Sequence, residues 1–307
     1  MNQKTRSQET ESTHYFITGG TGLIGSRFIK SLPSEASVTV LTRRPKNVTI
    51  PADCSLSFVN RINQVDFNTV EHVINLAGEP IDKRWTTSNK RKIENSRWDT
   101  TQQLTDAINQ ATQKPQTFIS GSAIGIYGRQ TSIKIAEDYD QYHDEFSHRL
   151  CKKWEDIASS ASQSSRVVLL RTGVVLAKGR GALAKMVPPF QFFAGAVTGG
   201  GKQYMAWIDL DDMVRLIHHC VNNHSITGPV NATAPHPVTN QEFSTTLART
   251  LNRPCWFKLP SFFVKFAFGE MSDLLLYGQN VIPSKLLASG FEFKYPKLSD
   301  SLSHQFN

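Results

Sequence analysis

Residues 16–28 read FITGGTGLIGSRF, with four glycines in the seven positions 19–25 between an apolar run and the start of a helical pattern. Glycine destabilises regular structure, so such a cluster marks backbone that turns sharply or lets another group come very close. Gly19, Gly22 and Gly25 follow the apolar run HYFIT (14–18) and open a predicted helix over 22–32. In that context one glycine makes the tight turn, one admits a pyrophosphate to the backbone, and one lets helix pack on strand. The helix start then faces the phosphates with free N–H groups and the positive end of its dipole. The expectation is a dinucleotide held by Gly19, Thr21, Gly22, Leu23, Ile24 and Gly25.

Working outward, β-branched apolar runs recur at 37–42, 55–60, 72–77, 116–121 and 166–171, with helical stretches at 86–112 and 143–161 between them. Continuous apolar runs are what strands buried on both faces look like, and their alternation with helices predicts an α/β, Rossmann-like doubly wound parallel sheet. The rhythm changes after residue 173, where 179–204 is rich in glycine and aromatics. The expected organisation is a disordered lead-in over 1–13 and a Rossmann domain over 14–250. A smaller carboxyl-terminal domain over 251–307 is joined by 174–206 in a substrate lobe, and 211–222 and 240–252 are helices.

The second strand ends VLTRRPK. An NAD site places an acid there, about 20 residues after the glycines, for the ribose 2′-hydroxyl. Here Arg43, Arg44 and Lys46 stand instead. The planar fork of arginine suits a phosphate monoester, so NADP is expected over NAD, with Arg43 on the 2′-phosphate and Arg44 stacking on adenine.

Composition narrows the classes. In 307 residues, 39% hydrophobic and 20% charged, a substantial core is affordable. The net charge of +8 gathers at 42–46 and 89–97, which reads as solvated faces or a phosphate-bearing ligand. No nucleic-acid motif accompanies it, so nucleic acid is not expected as a partner. Four cysteines without a paired motif, no apolar run near the ~18 residues of a membrane span, and no signal-peptide pattern point to the cytoplasm. Asp211 and Asp212 are read as helix-capping groups, and no metal is expected. The run 262–278 is assigned to core packing or a subunit contact, ahead of membrane association; monomer or homodimer is expected.

The motifs TGGTGLIG, NLAG (75–78) and SGSAIGIYG (120–128) resemble the extended short-chain dehydrogenase/reductase superfamily. RTGVVLAKGRGAL, WIDLDDM, GPVNATAPHPVTNQEF and IPSKLLASGFEFKYP are similar to its YfcH-like epimerase family branch, which carries its own carboxyl-terminal domain. The resemblance implies NADP(H) binding with Leu76, Ala77 and Gly78 lining the cofactor beside Glu79. It also puts Ser122 at the catalytic serine position. Arg97 stands where relatives carry asparagine near the site, which implies a cofactor or substrate contact.

One departure matters. The superfamily moves a proton with a Tyr-x-x-x-Lys pair, the lysine lowering the tyrosine pKa. Anchoring on Glu155 puts Ser147 and Cys151 at those two positions. Tyr127 is taken as the second polar contact to the substrate, with Glu79, Lys83, Lys90, Arg97, His148 and Lys152 as further substitutes. The expected function is an NADP(H)-dependent oxidoreductase or epimerase-like enzyme acting on an unknown small molecule between the SAIGIYG loop and the second lobe. The alternative is a non-catalytic NADP(H)-binding sensor or interaction protein.

Overall fold

Neighbouring residues of each central strand go to opposite hydrophobic layers. Phe16, Val73, Phe118 and Val167 pack with Leu104 and Ile108 on one side. Ile17, Ile74, Ile119 and Val168 pack with Phe28, Ile29, Leu216 and Ile217 on the other. That period-2 division between two covered faces is why the strands carry no polar side. The computed structural model describes residues 12–45 and 48–306. The lead-in expected over 1–13 therefore lies outside the described residues except for Ser12 and Thr13, as does Lys46.

The strands are β1 (His14–Thr18), β2 (Ser37–Leu41), β3 (Ser55–Val59), β4 (His72–Asn75), β5 (Thr117–Ala123), β6 (Arg166–Thr172) and β7 (Gly228–Ala232). They form one sheet in the order β7-β6-β5-β4-β1-β2-β3, every pair parallel. The chain runs outward from β1 to β3 and returns to place β4 beside β1. Ligands of doubly wound sheets bind at the crevice this reversal opens. Helices α1 (Leu23–Lys30), α2 (Thr87–Gln110) and α3 (Phe146–Ser159) fall within the predicted spans, and α5 (Leu210–Asn222) and α6 (Asn240–Thr250) start within a residue of theirs. The sequence reading missed β7, whose GPVNA looks like a turn. Its place at the sheet edge explains the tolerance, because the missing N–H of Pro229 breaks no ladder there.

Beyond β6, Leu183, Val187 and Phe190 of α4 (Leu183–Gln191) pack with Trp207, Phe243, Leu247, Leu298 and Leu302 in a separate core. Ala196–Thr198 pairs with Phe257–Leu259, so 174–206 and the carboxyl-terminal segment meet. This lobe reaches the loop after β4 through the ion pair of Lys185 with Asp82, and the first turn of α2 through that of Lys90 with Glu270.

Two expectations are corrected. In α7 (Ser261–Phe268) only Val264 is buried, so the aromatics of 262–268 are not core; Met271 and Ser272 do go inside. At α5, the cap is Asp209, which accepts from the Asp211 N–H at 2.8 Å. Asp212 instead takes the N–H groups of Lys294 and Tyr295, each at 2.8 Å, tying the carboxyl-terminal segment down.

Candidate cofactor site

Gly19 has φ +69°, and a Cβ there would sit 2.5 Å from the carbonyl oxygen of Leu76. The first turn therefore presses against the loop after β4 and requires glycine. Gly25 is equally confined, against the carbonyl of Gly19. The Gly22 N–H closes the turn onto Gly19 O at 2.9 Å, and Gly22 then caps α1 with no side-chain partner and no acid in the first turn. The first-turn N–H groups are left for an anion. On the facing loop, the Thr18 hydroxyl accepts from Ala77 N–H at 3.2 Å and donates to Asn75 Oδ1 at 2.6 Å. Asn75 in turn donates to Thr101 of α2 at 2.8 Å. This buried chain fixes the two sides of the cleft to one frame.

The cleft measures about 570 Å3 and brings together Gly19, Thr21, Gly22, Arg43, Leu76, Ala77, Gly78 and Glu79. Arg44 lines an adjoining cavity of about 550 Å3 with Thr21, Thr42, Arg43 and Val48. Among the described residues no acid lines that second cavity, and both arginines are exposed. Leu23 and Ile24 are half-buried behind the loop, and Gly25 is buried beneath it. Asn60, Asn95, Ser96 and Asp99 also line the cleft. Their signal was the spacing 95, 96, 99, one face of α2, but a polar face toward a cleft looks like a polar face toward water. Glu79 bonds Lys83 at 2.7 Å, which holds its carboxyl below the usual range.

Arg97 is not on the cleft wall. Its guanidinium carbon lies 3.0 Å from where a Gly78 Cβ would be and 5.3 Å from the Trp154 ring centre. Nη1 donates to the carbonyls of Glu79 (3.1 Å) and Ile93 (3.2 Å), so the side chain supports the loop from behind. Burial pulls its pKa down.

The reaction side differs from expectation. Ser122 is buried and donates to Glu155 Oε1 at 2.6 Å. Arg171 holds the same carboxylate with Nε and Nη2, both at 2.9 Å. Tyr127 is 0% exposed; its hydroxyl donates to Asn231 Oδ1 at 2.7 Å and accepts from Arg171 at 3.0 Å. Burial pushes that phenol up to about 12, against the pull of Arg171. Ser147 and Cys151 are also buried, packed under Gly125, and burial lifts the thiol to about 12. Ala123, one residue past Ser122 and on the opposite face of the strand, is half-buried. His148 binds the carbonyl of Ile126 through Nδ1, and Lys152 pairs with Asp156 on the exposed side of α3.

The profile of the NAD dependent epimerase/dehydratase family matches residues 15–232, and a domain of unknown function, DUF1731, matches 259–305. An Arabidopsis thaliana protein, "Epimerase family protein SDR39U1 homolog, chloroplastic", is 37% identical over 304 residues, 96% of this chain and 87% of that protein. The Bacillus subtilis epimerase family protein YfhF is 35% identical over 294 residues, 94% of this chain and 96% of that one. Among solved structures, the human epimerase family protein SDR39U1 (isoform 2) with NADPH superposes with a TM-score of 0.87 at 31% identity, covering 95% of this chain and 98% of that one. The UDP-glucuronic acid 4-epimerase of Bacillus cereus with NAD, at 16% identity and a TM-score of 0.76 over 96% of this chain and 98% of that one, shares the fold. With the glycine turn, the reversal between β1 and β4 and a match over more than half its length, this chain belongs to the NAD-dependent epimerase/dehydratase family.

Proposed function

We propose that the cleft holds NADPH and that the chain acts as a cofactor-holding member of its family, without the Ser–Tyr–Lys proton relay. The observation that carries the cofactor choice is the pair Arg43 and Arg44 at the end of β2, around a cavity with no carboxylate among the described residues of its wall. Arg43 takes the 2′-phosphate by charge-assisted bonds, and Arg44 covers adenine. The human relative solved with NADPH supports the same choice. Ser122 and Tyr127, expected to touch substrate, are struts of a buried network in this reading, because each has its proton committed inside the protein. Titration with NADPH and NADH tests the proposal: NADPH must bind at least about tenfold more tightly, the difference one charge-assisted contact supplies. Equal affinities would overturn it.

A second reading keeps the protein an oxidoreductase or epimerase-like enzyme with Arg97 as the cation of the site. It is favoured by the position of that guanidinium between Gly78 and Trp154, close enough to Cys151, at the usual lysine position, for the two to interact. NADPH oxidation across a panel of small carbonyl compounds, lost in Arg97→Met while NADPH affinity persists, would establish this reading over the first. We place the protein in the cytoplasm on its free cysteines, Cys54, Cys151, Cys220 and Cys255.

A further inference from the structure

Aromatic side chains stand out from one face of the carboxyl-terminal lobe. Phe192 is 81% exposed, Trp256 80%, Phe262 65% and Phe266 83%, with Phe193 and Phe257 both more than half exposed. The segments that carry Phe192, Phe193, Trp256 and Phe257 lie side by side, because Ala196–Thr198 pairs in parallel with Phe257–Leu259 and Arg253 lies over the Phe193 ring at 4.9 Å, and α7 with Phe262 and Phe266 follows directly. The rings of Phe262 and Phe263 lie 4.3 Å apart, tilted by 30°, just beyond that pairing. Isolated exposed aromatics need no explanation, but a continuous set this size marks an interaction surface.

Charge tells which partner fits. The segment 251–269, which carries Trp256, Phe257, Phe262 and Phe266, also carries Arg253, Lys258 and Lys265 and contains no aspartate or glutamate. A two-fold contact between copies would set this positive surface against itself, which is repulsive. The rings project outward, so a protein partner would need a rigid socket for each, whereas a fluid interface yields around them. Aromatics at headgroup depth with lysines beside them are how a surface seats on anionic lipid. Among the described residues no helix is long and apolar enough to cross a membrane, so the contact lies on the bilayer.

We propose that this face, centred on Phe262, Phe266 and Trp256 and flanked by Lys258, Lys265 and Arg253, docks on an anionic lipid surface. The aromatics enter the headgroup layer while the cations meet the lipid phosphates. For the exposed aromatics this departs from the expectation of core packing or a subunit contact over 262–278.

The test is co-sedimentation of the full chain with vesicles of phosphatidylcholine, alone or mixed with phosphatidylglycerol. Binding to the mixed vesicles should exceed binding to the neutral ones by about tenfold or more and fall at high salt. The double substitution Phe262→Ser with Phe266→Ser should weaken it by about tenfold or more. Lys258→Glu with Lys265→Glu should remove the preference for anionic vesicles. All four side chains are exposed, so an unchanged melting temperature certifies the fold of each variant. Equal binding to both vesicles, or none to either, overturns the proposal. So does a dimer that Phe266→Ser dissociates in the absence of vesicle binding, which would assign the face to a second copy.

Discussion

Ser122 on β5 and Arg171 on β6 meet on one carboxylate, that of Glu155 on α3, with the serine at 2.6 Å and both arms of the guanidinium at 2.9 Å. Arg171 reaches onward to Tyr127, and Tyr127 to Asn231 on β7. The carboxyl ends of three neighbouring strands are thus joined by one buried polar chain. Its members are paired throughout, as burial of charge demands.

If that chain is structural, Ser122→Ala should lower stability by about 1.5–3 kcal/mol, the value of one buried hydrogen bond to a charged group. NADPH affinity should change less than about twofold, since Ser122 does not line the cleft. Arg171→Met should be far worse, costing about 3–5 kcal/mol, because it strands the Glu155 charge in the interior. Denaturant titrations beside NADPH titrations check both. A serine variant of normal stability that cannot hold cofactor would refute the structural role.

Arg43→Ala should reduce NADPH affinity about tenfold to a hundredfold, the value of one or two charge-assisted bonds to a phosphate. NADH affinity should hold, because the reduced form without the 2′-phosphate never engages that side chain. Measuring both nucleotides on one preparation separates a lost contact from a damaged cleft. Arg44→Ala should weaken both nucleotides alike, since adenine is common to them.

What was legible in the sequence follows from how locally each feature is determined. The turn at Gly19 is written in a few consecutive residues, and so are the arginines that end β2. The inward set of Ser122 is not, because adjacent strand residues face opposite sides and only the packed helix decides which side is solvent. Ser122 goes under α3 and Ala123 takes the other face. The aromatics of 262–268 were misread for a related reason. A helix dense in phenylalanine has no way to declare, by itself, that no layer covers it. Pro229 likewise hid a strand that only its edge position permits.

Gly19→Ala should abolish tight NADPH binding. The residue would need φ +69°, where side chains are strained, and its Cβ would lie 2.5 Å from Leu76 O. Relief requires the loop after β4 to move, which widens the cleft on the side carrying Ala77 and Gly78. A stability loss of about 2 kcal/mol should accompany it, from strain plus crowding. Gly179→Ala is the matched control, with φ +67° but nothing within 4 Å of its Cβ. It should show part of the stability loss and normal binding.

His72, at the start of β4, supplies a pH dependence unrelated to the cleft. It is 7% exposed, its Nδ1 finds no hydrogen-bond partner among the described residues, and its ring lies 5.1 Å from that of Tyr15. Burial, with Arg166 and His224 adding to it, pushes its pKa down to about 4 from the ordinary 6.5. The unfolded chain therefore binds a proton that the folded chain refuses. The stability this side chain contributes is complete above pH 6.5 and is lost as pH falls toward 4. Between neutrality and about pH 5 the loss should reach about 2 kcal/mol, at about 1.4 kcal/mol for each pH unit crossed below the unfolded value. His72→Phe keeps an aromatic ring beside Tyr15 and removes the titration. Unfolding at the two pH values should then differ less for the variant than for the parent by about that amount, and equal differences would show that His72 does not set the acid limb.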